Sequence, residues 1–158
     1  MFVKVNYFSV WKKKLKKQGE KMNYKKITLG TLAYFISSFV IQGLLGFAFA
    51  GKYFLSIPIL RIPPTAYLAL PQAIVAGIAF AILYPITNFK GTPVLRGLKF
   101  GLLIGLIMVS FIALDLPARF VIPSVGTWIL VQGILGILHF AIAGILIRLI
   151  YGRDTKEG

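Results

Sequence analysis

Few side chains in this sequence could do chemistry, and one histidine is the centre of the larger group. His139 is the only histidine, and it falls in a long apolar run together with Gln132, seven positions earlier. In an α-helix that spacing places both side chains on nearly the same face. An imidazole beside an amide could hold a small polar ligand or pass a proton, and polar groups within a membrane are a default sign of function.

A second apolar run, near the start of the chain, carries Ser38, Gln42 and Gly46 at four-residue spacing. If the two runs cross a bilayer in opposite directions, Gln42 and His139 lie at similar depths. Both should face the bundle interior, because unsatisfied donors in lipid are costly. Two interpretations follow: a polar or proton-handling site formed by Gln42, Gln132 and His139, or hydrogen bonds that only fix packing. Such bonds contribute about 0.6–2 kcal/mol each, and packing is the role we expect.

Asp115 and Arg119 form the other group, four positions apart at the predicted end of the third apolar run. They can form an ion pair if the helix persists as far as Pro117. A carboxylate beside a guanidinium could grip a ligand or an ion. The more common role of such a pair is to seal a helix end, and that is the role we expect here.

The remaining sequence lacks the patterns that enzymes need. It contains no His, Asp and Glu cluster with metal-ligand spacing, no membrane-embedded pair of acids and no glycine-rich phosphate loop with its lysine. The absence of cysteine excludes disulfides and thiol chemistry. We therefore expect a protein that is not an enzyme and that holds no cofactor and no metal.

The elements that carry these residues are transmembrane helices. Hydrophobic residues make up 58% of the chain and charged residues only 14%, whereas a soluble domain carries roughly 25% charged residues. The 25 positions from Ile27 to Gly51 hold no charge at all, and about 20 apolar residues suffice to cross a bilayer. We predict an all-α transmembrane four-helix bundle with spans at about 27–51, 66–86, 94–114 and 127–150.

The basic residues indicate how the bundle is oriented. Of the 18 lysines and arginines, nine lie in the first 26 positions, and 15 lie on the side of the two termini against three on the other. The positive-inside rule then places both termini in the cytoplasm. Because the charge is grouped at span ends, the net charge of +14 indicates attraction to anionic lipid headgroups and no nucleic-acid partner.

Three segments follow from this pattern: a basic lead over residues 1–26, a transmembrane domain over residues 27–151 and a polar tail over residues 152–158. In the lead, Met1, Val5, Phe8 and Leu15 share one face at helical spacing while lysines crowd the rest. This segment could lie in the headgroup layer as an amphipathic helix, or serve only as a partly disordered anchor. Residues 1–21 could also be an extension ahead of an ordinary start at Met22.

The most specific motif in the sequence concerns packing. Gly97, Gly101 and Gly105 recur at strict four-residue spacing in the third predicted helix. Glycines at that spacing line one face and let another helix backbone approach closely. The partner is either a helix of the same chain or a helix of a second subunit.

From Met22 onward, the chain resembles a loose group of small four-helix bacterial membrane proteins of uncharacterised function. The resemblance is carried by the opening MNYKKITLGTLAYFI, by the glycine-rich LRGLKFGLLIGL and by the closing helix ILGILHFAIAGILIRLIYG. It implies the four-helix fold and no particular activity, so no functional residue is carried over from it. We expect the protein to be an integral protein of a bacterial or archaeal cytoplasmic membrane.

Two hypotheses for function follow. The first is a non-catalytic membrane protein that acts through helix packing, as a homo-oligomer or as an accessory subunit of a membrane complex. The alternative is a small carrier or a lipid- or hydrophobe-binding protein, with a polar site between the first and fourth helices.

Overall fold

The computed structural model describes residues 23–60 and 66–152, and within those ranges it contains helices and no β-strand. Four long helices account for most of them: α1 (Tyr24–Leu55), α2 (Ala66–Leu83, continued by a 3-10 turn at Tyr84–Ile86), α3 (Pro93–Arg119) and α4 (Val125–Gly152). The predicted all-α four-helix bundle is confirmed. The basic lead up to residue 22, the connector residues 61–65 and the tail from residue 153 lie outside the described ranges.

The first helix is longer than the charge-free run that predicted it. It begins at Tyr24 because Asn23 caps it: the Asn23 side chain accepts a hydrogen bond from the Lys26 N–H at 3.2 Å, which satisfies one of the free donors of a helix start. Its last turn contains Lys52, where the helix dipole favours a cation. Between these ends, Phe39–Leu45 is wound as a π-helix.

The third helix also continues beyond the predicted end at residue 114, and Pro117 does not break it. A π-helical turn over Phe111–Asp115 is followed by one more α-helical turn, Leu116–Arg119. A proline cannot donate its backbone nitrogen and normally clashes with the preceding turn. The wider π turn directly before Pro117 accommodates it, so the helix runs on to Arg119.

The helices pack in the order α3, α4, α1, α2, with α4 lying against both α3 and α1, and α2 lying against α1. We call the end where α1 begins and α4 ends the terminal end, and the opposite end the loop end. At the terminal end, the Tyr151 hydroxyl donates a hydrogen bond to the Ala81 carbonyl at 2.9 Å. This bond ties the end of α4 to α2.

The glycine row of α3 packs against α4 of the same chain. A methyl group at Gly101 would run into the Phe140 carbonyl, and one at Gly105 would lie 2.8 Å from the Phe140 Cβ. Gly97 faces Gly144 in the same way. The close helix approach that the glycines allow is therefore made inside one chain.

Aromatic rings from all four helices meet in the core. Tyr34 of α1, Phe80 of α2, Phe100 of α3 and Phe140 of α4 are all buried. The ring centroids of Phe80 and Phe100 are 4.7 Å apart and those of Tyr34 and Phe80 are 5.3 Å apart. At the loop end, a smaller cluster of Ile57, Ile122 and Trp128 packs the connectors onto the helices.

The outside of the bundle is apolar. Each helix exposes leucine, isoleucine, valine or phenylalanine side chains along its length, as Phe49, Val75, Leu106 and Leu130 illustrate. The apolar spans Tyr24–Leu55, Tyr67–Ile86, Pro93–Arg119 and Val125–Gly152 are 32, 20, 27 and 28 residues long, which is enough to cross a membrane. A soluble monomer rarely exposes a continuous apolar surface of this kind. The chain is an integral membrane protein.

Candidate functional site

The structure brings Gln42 of α1 and His139 of α4 into contact. The Gln42 amide nitrogen Nε2 lies 3.0 Å from the His139 Nδ1. Both residues lie well inside their helices, far from the charged ends. A polar pair at that depth lies in the hydrocarbon layer, where water cannot replace a missing partner.

The second ring nitrogen of His139 has no partner. With the amide nitrogen facing the ring, Gln42 donates to Nδ1, and the neutral imidazole then carries its proton on Nε2. With the amide turned over, Nδ1–H donates to the Gln42 Oε1 and Nε2 becomes the acceptor. In both arrangements Nε2 is buried, and none of the described residues forms a hydrogen bond with it.

Aromatic rings enclose the imidazole. The Tyr34 ring meets it edge-on with centroids 4.9 Å apart, and the Phe140 ring is tilted against it, also at 4.9 Å. His139 as a whole is 1% exposed. The site is thus a single polar contact within an apolar surround, and α1 and α4 hold its two members in place.

The amide of Gln42 reaches the buried His139, but the residue as a whole is more exposed than predicted. Its side chain is exposed on the surface of the bundle, and only the amide end reaches back to His139. Gln42 follows Ile41, the last of the buried residues Gly30, Tyr34, Ser37 and Ile41, and it lies within the π-helix at Phe39–Leu45. Turns of this kind occur often at functional positions.

The other predicted site residues lie apart from this pair. Gln132 is half-buried in α4 and forms no hydrogen bond with Gln42 or His139 within the described chain. Asp115 and Arg119 do form an ion pair, with 2.8 Å between the Asp115 Oδ2 and the Arg119 Nε, but Arg119 is 68% exposed. An exposed pair on the last turns of one helix stabilises that helix end only slightly.

Comparison with known proteins adds no candidate role. No protein-family model, no curated protein and no solved structure matches this chain. The resemblance to small four-helix bacterial membrane proteins stays a prediction. Any role for the site therefore has to follow from its own geometry.

The pair offers hydrogen-bonding groups within an apolar surround. Asp115, which lies near the loop end, is the only described carboxylate, and no three His, Cys, Asp or Glu side chains of the described residues gather as metal ligands. Within the described residues, the imidazole thus contributes one buried nitrogen beyond its contact with Gln42.

A second group of polar residues was not predicted as a site. Arg96 of α3 and Arg148 of α4 line one cavity of about 150 Å³ at the terminal end, together with Tyr84, Thr87 and Asn88. In the sequence Arg96 and Arg148 are indistinguishable from the basic residues that anchor span ends. Only the antiparallel packing of α3 on α4 brings them together.

Proposed function

We propose that the protein is a non-catalytic multi-pass membrane protein that acts by packing α1 against a helix of another membrane-protein chain. That chain is either a second copy of the protein or a subunit of a larger complex. The observation that carries the proposal is the exposed side chain of Gln42 on the surface of a membrane-spanning helix.

A glutamine that is exposed as a residue at this depth is unfavourable in lipid. A glutamine side chain offers two donors and an acceptor, and the contact with His139 uses only one of them. In hydrocarbon the remaining groups have no water to bind, so a neighbouring helix that offers a donor or an acceptor lowers the free energy. The exposed position of Gln42 thus favours a partner helix over a lipid-facing surface.

The residue next to Gln42 permits a close approach. Gly43 is exposed, and a methyl group there would meet only the ring of Phe39 in the same helix, at 3.6 Å. Small residues at a helix surface let a second backbone come near enough for side-chain hydrogen bonds to form. Because the glycine row of α3 is already packed against α4, α1 is the better candidate for the assembly surface.

Native mass spectrometry of the protein, gently extracted from its own membrane, tests this proposal. We expect a defined protein complex, and its mass distinguishes a homo-oligomer from a complex with another subunit. Gln42→Leu should release the monomer, because it replaces the surface amide with an apolar side chain. Gln72→Leu is the matched control, since Gln72 is also exposed but lies near the start of α2. A monomer in the unmodified protein would contradict the proposal.

A second candidate is favoured by the unpartnered Nε2 of His139. In this alternative the protein is a small carrier or a lipid- or hydrophobe-binding protein, and the polar group of the ligand binds between α1 and α4. The same spectra then show a monomer or homo-oligomer with one reproducible small molecule. His139→Phe would abolish that adduct and leave any assembly intact, whereas the packing proposal expects assembly to depend on Gln42.

A further inference from the structure

The cavity at the terminal end lies where three helices meet. Tyr84 belongs to the final 3-10 turn of α2, and Thr87 and Asn88 follow directly after it. Arg96 lies in the first turns of α3, and Arg148 lies one turn before the end of α4. The cavity is therefore at the end of the membrane-spanning segments, at the depth of lipid phosphates.

The charge around the cavity is positive and uncompensated within the described chain. The only described carboxylate, that of Asp115, is paired with Arg119 near the loop end. Both arginines that line the cavity are half-buried, which makes their charges harder for water to screen than charges on an open surface. Two guanidinium groups that share a small cavity favour an anion between them.

The hydrogen bonds around the arginines point the same way. The Arg96 Nε donates to the Gly91 carbonyl at 2.7 Å, which fixes the position of that side chain. The Arg148 Nε is buried and has no acceptor among the described residues. A buried, unpaired donor on a charged group costs free energy, and an anion in the adjoining cavity would lower that cost by offsetting the charge of the guanidinium group.

Neutral residues that can form hydrogen bonds also line the cavity. They are Tyr84, Thr87 and Asn88. The planar guanidinium of an arginine matches the oxygen pairs of a phosphate group. A cavity of about 150 Å³ can hold a group of that size. We propose that Arg96 and Arg148 form a binding site for a phosphate group, either that of an anionic lipid headgroup or a free phosphate.

Lipid binding to the full-length protein in mild detergent tests the site. The probe is phosphatidylglycerol, titrated in native mass spectrometry against zwitterionic phosphatidylcholine. The double variant Arg96→Gln/Arg148→Gln should bind one phosphatidylglycerol about tenfold more weakly or worse, because it loses two charge-assisted contacts. The control Lys25→Gln/Lys90→Gln removes the same charge from exposed lysines of the same end and should keep that lipid.

Two further measurements complete the test. If the glutamine variant fails to fold, the variant Arg96→Lys/Arg148→Lys replaces it, because it keeps both charges. We expect it to bind phosphatidylglycerol more weakly than the unmodified protein, since lysine cannot bind in bidentate fashion. Inorganic phosphate is then added to the protein. If it raises the melting temperature and displaces the lipid, free phosphate is a ligand. If the lipid stays bound, the site recognises the lipid headgroup. Equal phosphatidylglycerol binding by the unmodified protein, both arginine variants and the lysine control would overturn the proposal.

Discussion

The indole Nε1 of Trp128 in α4 donates a hydrogen bond to the backbone carbonyl of Ile112 in α3, at 3.0 Å. In a π turn, a carbonyl pairs with the N–H five residues later, and for Ile112 that residue is Pro117, which has no N–H. The π turn and the proline thus leave one carbonyl without a backbone donor. Trp128 supplies the missing donor from the neighbouring helix.

Replacement of Trp128 by phenylalanine should therefore destabilise the bundle. The variant leaves the Ile112 carbonyl unpaired, and we expect the free energy of unfolding to fall by about 1–3 kcal/mol. Denaturant unfolding in detergent measures the change. Pro117→Ala provides the control, because alanine restores an N–H at the position that can reach this carbonyl. In that background the cost of Trp128→Phe should shrink, and an undiminished cost would contradict the explanation.

Enlargement of the glycine row should also destabilise the bundle. At Gly101 a methyl group would run into the Phe140 backbone, and overpacking of this kind costs about 1–3 kcal/mol. Gly133→Ala is the matched control, because nothing lies within 4 Å of the added methyl group and alanine favours a helix by up to about 1 kcal/mol. The midpoint temperature of thermal unfolding should fall for Gly101→Ala and should not fall for Gly133→Ala. Equal shifts for both variants would show that the helices do not pack as described.

The hydrogen bond between Gln42 and His139 can be measured by a double-mutant cycle. Gln42→Leu and His139→Phe each leave one polar group without its partner, whereas the double variant removes both. Membrane hydrogen bonds measured in this way average about 0.6 kcal/mol, so we expect a coupling energy of about 0.6–2 kcal/mol in detergent unfolding. A coupling energy of zero would show that the two side chains do not interact in the folded protein.

The number of helices could be predicted from the sequence, because long charge-free runs leave a chain few alternatives. The contact between Gln42 and His139 could also be predicted, since both residues lie near the middle of apolar runs that cross the bilayer in opposite directions. The exposure of Gln42 was not predicted, because the four-residue spacing of Ser38, Gln42 and Gly46 indicated one inward face, whereas the buried face follows Tyr34, Ser37 and Ile41. The π turn was not predicted either, since no single residue type indicates one.

The cavity lined by Arg96 and Arg148 shows a second limit of prediction from the sequence. In the sequence, each arginine stands near the end of an apolar run, as basic anchors do. The proposed site depends on the cavity wall that they share and on the buried Arg148 Nε, which has no acceptor among the described residues. Both properties arise from the packing of α3 on α4, which a pattern along one chain does not contain.

The orientation of the bundle can be tested because the chain has no cysteine. Two single-cysteine variants report on the accessibility of opposite ends of the bundle. Lys90→Cys lies in the turn between α2 and α3, and Val121→Cys replaces a residue that is 91% exposed between α3 and α4. The excess of lysine and arginine at the terminal end predicts that this end lies in the cytoplasm. A membrane-impermeant thiol reagent should therefore label Val121→Cys in intact cells, and label Lys90→Cys only after the membrane is opened. The reverse labelling pattern would place the cavity of Arg96 and Arg148 on the outer face, and phosphate groups would then have to reach it from outside the cell.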